Sequence, residues 1–264
     1  MNLGLSLAIL VATVHGAVAS DWREQLTPAQ PGTFPPPRPY RSSYSFGWGA
    51  FTAARADFVF TRPLANELRL AVSVKSIGAV RALWRLDAQH VAVCRADTLH
   101  PISARQTEAY KDETLTTTID FKPDEVTRLR TSNKGGKNPA RPKRFAMPDV
   151  FDLFSALLFV RSQPLSPGST YQIVVYPSTN PFLAQVDVAG LRKIKVAGRT
   201  QEAVQLNLKL RRIGKDKELV PHQKFKRASA WISNDSDRVI LKIEADIFVG
   251  SVWTELEKIE FVSR

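Results

Sequence analysis

The 264-residue chain carries 37 Lys and Arg against 25 Asp and Glu, a formal net charge of +12, and 44% of its residues are hydrophobic. That balance excludes a wholly disordered chain, and a single cysteine, Cys94, excludes any internal disulfide. The positive excess favours anionic partners, such as acidic glycans or anionic lipids, without selecting a site for them.

The first expected element is a leader. Leu3–Val14 is largely apolar and is followed by Ala17–Val18–Ala19, the small-x-small pattern of a signal-peptide cleavage site, although no Lys or Arg precedes the run. Residues 1–19 therefore read as a signal peptide, and the protein is expected to be exported, to the periplasm or beyond the cell. No later run approaches the roughly 20 apolar residues of a membrane-crossing helix, so no transmembrane segment is expected.

Residues 20–42 read as a Pro-rich linker. Pro28, Pro31, Pro35, Pro36, Pro37 and Pro39 fix φ and remove backbone donors, which favours an extended tether.

Residues 43–264 read as one β-rich domain. Leu68–Val74 is rich in strand formers. His90–Cys94 is mostly apolar, so Cys94 is expected to be buried and inert. After Thr98–Leu99–His100–Pro101, an extended backbone would point Gln106, Glu108 and Tyr110 the same way. That polar row, with His100, is the candidate ligand-facing set.

From Arg128 to Arg144 there are seven cations and no acid. Arg128, Arg130, Lys134, Lys137, Arg141, Lys143 and Arg144 form the candidate anion-contacting set, read as a long surface loop. Nucleic acid is not expected as a partner, because no aromatic stacking platform accompanies the charge until Phe145.

Asp149 then reads as a helix cap, and Val150, Leu153, Phe154, Leu157 and Leu158 follow helical spacing up to Arg161. Phe151 and Phe159 make this helix apolar nearly all round, so it is expected to be buried. Tyr171–Tyr176 and Ala203–Leu210 return to strand patterning, with Gly78, Gly190, Gly198 and Gly214 read as turns. A second basic cluster runs through Lys209, Arg211, Arg212, Lys215 and Lys217 to Lys224, Lys226 and Arg227. From Arg238 onward, Val239, Leu241, Ile243, Ala245, Ile247 and Val249 fall on one face and Arg238, Lys242, Glu244 and Asp246 on the other, with Ile240 the exception, which is the pattern of a half-buried antiparallel strand. The expected fold is mainly β: a large curved antiparallel sheet or partly open β-barrel with one buried α-helix near residues 149–161.

No chemistry announces itself. The four histidines show no metal-ligand spacing, and there is no GxSxG, P-loop or GxGxxG, so no metal and no cofactor are expected. The leading expectation is an envelope protein that binds an anionic glycan or lipid on its curved sheet. One alternative is a glycan-acting lyase or hydrolase using Tyr110, Glu108 and His100 as acid–base groups. Another is a structural or assembly factor without a small ligand. The sequence carries no indication of oligomeric state.

Several stretches taken in order resemble one family. They are Tyr44–Ala50, Thr98–Pro101 with the Gln106–Tyr110 row, Asp149–Arg161, Trp231–Asp235 with Arg238, Ile247–Ser251 and Glu255–Leu256. Over roughly residues 43–258 the chain resembles the exported bacterial proteins of "domain of unknown function 3108". The resemblance implies a β-rich envelope protein and transfers no catalytic residue. The basic insert at residues 132–144 looks longer than the family's usual connection.

Overall fold

The computed structural model describes residues 21–134, 140–221, 225–247 and 250–262. The expected signal peptide and Lys137 lie outside the described residues.

Sixteen strands form one sheet among the described residues. The first eight are β1 (Tyr40–Trp48), β2 (Phe51–Leu64), β3 (Glu67–Ser76), β4 (Asp87–Arg95), β5 (Pro101–Ala109), β6 (Thr114–Phe121), β7 (Glu125–Ser132) and β8 (Lys143–Ala146). The rest are β9 (Val150–Phe151), β10 (Thr170–Val175), β11 (Phe182–Val196), β12 (Arg199–Ile213), β13 (Leu219–Pro221), β14 (Phe225–Ser233), β15 (Ile240–Ile247) and β16 (Gly250–Phe261). Their spatial order is β8-β7-β6-β5-β4-β3-β2-β1-β16-β15-β14-β12-β11-β10-β9, with β13 alongside β12. Every pairing is antiparallel except that of β9 with β10. The expectation of a large curved antiparallel sheet is met, and strand pairing begins three residues earlier than expected, at Tyr40.

The hydrogen-bonded ladder does not close, yet the chain forces the sheet to curl. Laid flat, fourteen interstrand gaps of about 4.8 Å would separate its two edge strands, β8 and β9, by roughly 67 Å. Only Met147, Pro148 and Asp149 join Ala146 of β8 to Val150 of β9, a span of at most about 14 Å. The sheet must therefore roll until its ends meet at a seam.

Helix α2 (Leu153–Ser162) fills the roll, while a short helix α1 (Gly78–Leu83) links β3 to β4. Phe154 and Leu158 pack against Phe60, Leu68, Ala92 and Ile119 of the first half. Ala156, Phe159 and Val160 pack against Ile173, Val186, Leu206 and Ile232 of the second. Val150 and Phe151, expected in the helix, form β9 instead, and Leu153 is exposed; from Phe154 onward the helix is largely buried because it is sandwiched between the two halves of one sheet. Its cap is Asp152 and not Asp149: Asp152 accepts from the Ser155 N–H at 2.7 Å and Ser155 Oγ accepts from the Asp152 N–H at 3.0 Å. Asp149 instead takes a left-handed turn, φ 54°, between the two edge strands. Gly190 sits at a bulge inside β11 and is not a turn between elements.

The Pro-rich segment lies along the body. Thr27 N donates to Gln172 O (2.9 Å), Phe34 N to Ser162 O (3.1 Å) and Arg38 N to Asp237 Oδ1 (3.0 Å). At Gly32 the strap runs so near Ser162 that a Cβ would stand 2.1 Å from its carbonyl oxygen. The buried Arg161 guanidinium donates to Pro35 O (2.6 Å) and Asp237 O (2.8 Å), and Arg238 lies 3.5 Å over the Phe34 ring. Burial, with the Arg238 charge beside it, pulls Arg161 down to about 10, so it keeps its charge at neutral pH. This clasp seals the end of the roll where β1 begins, which we term the base. The end where β1 finishes is the mouth.

Candidate functional site

Alternation decides which side chains line the interior. In β4, Ala92 and Cys94 are wholly buried in the core, so His90 and Ala88 face inward with them. Burial pushes the His90 imidazole below its ordinary value and raises the Cys94 thiol well above the reactive range; Cys94 is inert, as expected. Register carries the inward face across the sheet. His90 pairs with Gln106, Gln106 with Thr117 and Thr117 with Arg130. On the mouth side of that row lies Glu108, and on the base side Ala92, Ala104, Ile119 and Arg128 continue it.

A polar strip therefore crosses the concave face of β4–β7 above the helix. Thr117 and Arg128 are buried, while His90, Gln106, Glu108 and Arg130 are half-buried. Glu108 accepts from Tyr110 Oη at 3.1 Å and faces Arg130 Nη2 at 3.5 Å. Partial burial, then the Glu108 charge, raise the Tyr110 phenol, so it acts as a donor and is a poor base. Arg128 is only 6% exposed and its Nε–H has no partner; a buried donor left unpaired costs about 1–3 kcal/mol. Toward β2 the strip gives way to apolar side chains, Val72 opposite His90 and Phe58 opposite Val72. One curved surface thus presents guanidinium groups at one end and hydrocarbon at the other.

The candidate residues separate into three groups. Gln106, Glu108, Tyr110, Arg128 and Arg130 converge on the concave face or its lip. Arg128 and Arg130 are strand residues of β7, which corrects their reading as part of a surface loop; Lys143 and Arg144 likewise belong to β8. Lys134 helps line a cleft of about 220 Å³ at the mouth with Trp84, Tyr110 and Lys111. His100, Arg141 and Arg144 stand apart. His100 precedes β5 and Tyr110 follows it, so nine strand residues hold them about 30 Å apart. His100 instead meets Asp149 at 3.6 Å and the Phe151 ring at 5.8 Å. The acid–base trio of Tyr110, Glu108 and His100 is not a single site.

His90 and Thr117 were missed in the sequence. Their signal was parity: each alternates with apolar neighbours on the core face, His90 with Ala92 and Cys94, Thr117 with Ile119. A second cleft, about 340 Å³, lies at the seam beneath the strap, with Leu26, Met147, Phe151 and Val174 in its walls and Arg23 and Lys217 at its edge. Among the described residues no group of three His, Cys, Asp or Glu could hold a metal ion, and no helix is long and apolar enough to cross a membrane.

Comparison with known proteins agrees with this architecture. A family model described as "Protein of unknown function (DUF3108)" matches residues 40–257, from the first strand nearly to the end of the last. A β-barrel-like protein of domain of unknown function DUF1849 from Brucella abortus is similar in structure, with a TM-score of 0.59 at 10% identity over 87% of this chain and all of that one. A protein with a YmcC-like fold from Bacteroides fragilis aligns over 87% of this chain and 99% of its own, with a TM-score of 0.39 at 8% identity. Among curated proteins none matches.

Proposed function

The chain belongs to the DUF3108 family of proteins of unknown function, and from that premise we propose that it is an exported envelope protein that binds an anionic amphiphile on its concave face. Export rests on the apolar Leu3–Val14 run and the Ala17–Val18–Ala19 site. The observation that carries binding is Arg128, a buried guanidinium with an unpaired Nε–H, two positions from Arg130 on the same inward face. Guanidinium groups recognise carboxylates and phosphates by geometry as well as charge. The adjoining Phe58 and Val72 favour an acyl chain over a bare glycan, since sugars offer little hydrocarbon to bury.

Dodecanoate tests the reading by calorimetric titration, with dodecanol and a polyuronate as comparators. Dodecanoate binds saturably, dodecanol more weakly, and Arg128→Met or Arg130→Gln lowers affinity about tenfold or more, the loss of one charge-assisted hydrogen bond. Arg128→Met remains folded, because exchanging a buried charge for an apolar side chain of similar volume is neutral or stabilising. Dodecanoate binding that both variants leave unchanged, or no binding at all, overturns the proposal. Binding of the polyuronate alone assigns the strip to a glycan instead.

A further inference from the structure

Helix α1 is mostly apolar yet leaves Ala79, Ala82 and Leu83 exposed, with Val80 and Arg81 only half-buried. Its sequence, Gly-Ala-Val-Arg-Ala-Leu, has no buried residue, and Leu83 at its end is 92% exposed. Apolar side chains left in solvent on such a helix mark a candidate contact surface. Trp84 follows it, half exposed, with its ring 6.2 Å from Tyr110.

The same end of the roll carries the β1–β2 turn. Ile77 N donates to Ala53 O at 3.0 Å, which ties α1 to the start of β2, where Phe51 is 74% exposed beside Trp48. Trp253 lies over Gly47, at whose Cβ position the indole ring already sits, and it donates to Gly49 O at 2.9 Å. Three of the five tryptophans therefore gather at the mouth. Cations flank them: Lys75, Lys111 and Lys134 are exposed, while Arg81 and Arg85 share one carboxylate, Asp87, at 2.9 and 3.4 Å. Asp112, Glu113 and Asp246 are further acids at this end, and Glu108 lies just inside it against Arg130, so around the tryptophans these five cations meet four acids on the rim of a chain whose net charge is +12.

Exposed Trp, Phe and Leu ringed by Lys and Arg match the boundary layer of an anionic bilayer. There indoles sit at head-group depth and cations meet phosphates. We infer that the mouth docks on an anionic phospholipid surface, with Leu83, Trp84, Phe51 and Trp48 entering the head-group layer. The Glu108 end of the concave strip lies toward the same end. The inference itself rests on the mouth alone and does not require a ligand in the strip.

The full chain tests this by co-sedimentation with phosphatidylglycerol–phosphatidylcholine vesicles and with phosphatidylcholine vesicles. Parent and variant share residues 1–19, so any difference between them reports the mouth. The parent associates with the anionic vesicles, less so as salt rises. A Leu83→Ser, Trp84→Ser double variant loses about tenfold or more of that affinity, the equivalent of leaving one large apolar side chain in water. Trp84→Phe retains most of it. Because Leu83 is 92% and Trp84 52% exposed, the double variant remains folded, which its unfolding transition checks. Equal binding by parent and double variant, or no preference for anionic vesicles, overturns the inference. Arg130→Gln separates the two proposals: it loses dodecanoate and keeps vesicle association if both hold, whereas either result alone condemns only one of them.

Discussion

At His90 a single side chain shows how register makes chemistry. The imidazole is not remarkable in sequence, but β4 turns it toward the core and β5–β7 place Gln106, Thr117 and Arg130 in line with it. Burial holds its folded pKa below the ordinary value. On acidification the unfolded chain takes up this proton first, near pH 6.5, and the folded chain only at lower pH. This contribution is therefore intact above the unfolded value, and stability falls as pH drops through it toward the folded value. His90→Gln stays neutral throughout. Urea unfolding measured between pH 5 and 8 should give a parent-minus-variant stability difference that falls as pH drops below about 6.5; a flat difference would show that the imidazole is not held neutral.

Among the elements, α2 depends most on a local detail. Its N-terminus is enclosed, so its first N–H groups have little water, and the reciprocal Asp152–Ser155 bonds supply the partners. The Asp152 carboxyl is itself buried; burial drives its pKa upward against the opposing hydrogen bonds from Ser155 and Phe154, and its Oδ2 has no partner. An acceptor at Oδ1 is what the helix requires, and the charge is dispensable. Asp152→Ala is expected to cost about 1–2 kcal/mol in denaturant unfolding. Asp152→Asn should cost clearly less at pH 7, because it keeps the acceptor and removes a buried ion. Equal losses would mean that the ionised carboxylate itself holds the helix.

For the whole molecule, the seam has a mechanical consequence. The two halves of the sheet share hydrogen bonds through β1 and β16, meet at the seam where the Phe145 and Tyr176 rings lie 6.1 Å apart, and both pack on α2, where Phe159 is wholly buried. Truncating it leaves a cavity on the face that packs the second half. Phe159→Ala should lower stability by about 3–5 kcal/mol. Native-state hydrogen exchange should then accelerate together in β4–β5 and β11–β12, since loss of the helix releases both halves. Acceleration confined to β10–β12 would mean that the halves are independent units.

The sequence by itself determined the class of structure and the identity of the helix. Alternation in Ala203–Leu210 and, but for Ile240, from Val239 to Ile247 is satisfied by strands with one dry face, and the mainly apolar run of residues 153–160 by a helix enclosed on two sides. These are properties of local period, which the chain carries wherever it folds. Gln106, Glu108 and Tyr110 were legible as one row for the same reason. What only tertiary structure decided is which residues from distant strands face that row. Arg128 and Arg130 read as members of a charged loop because their run contains no acid, yet pairing with β6 makes them strand residues that turn inward. His100 read as a companion of Gln106, Glu108 and Tyr110, but the nine residues of β5 hold it at the far end from Tyr110. The cap passed from Asp149 to Asp152 because three residues must bridge the sheet's two edges before the helix can start. Composition and period are local quantities; register, curl and closure depend on contacts between residues far apart in the chain, and those set the site.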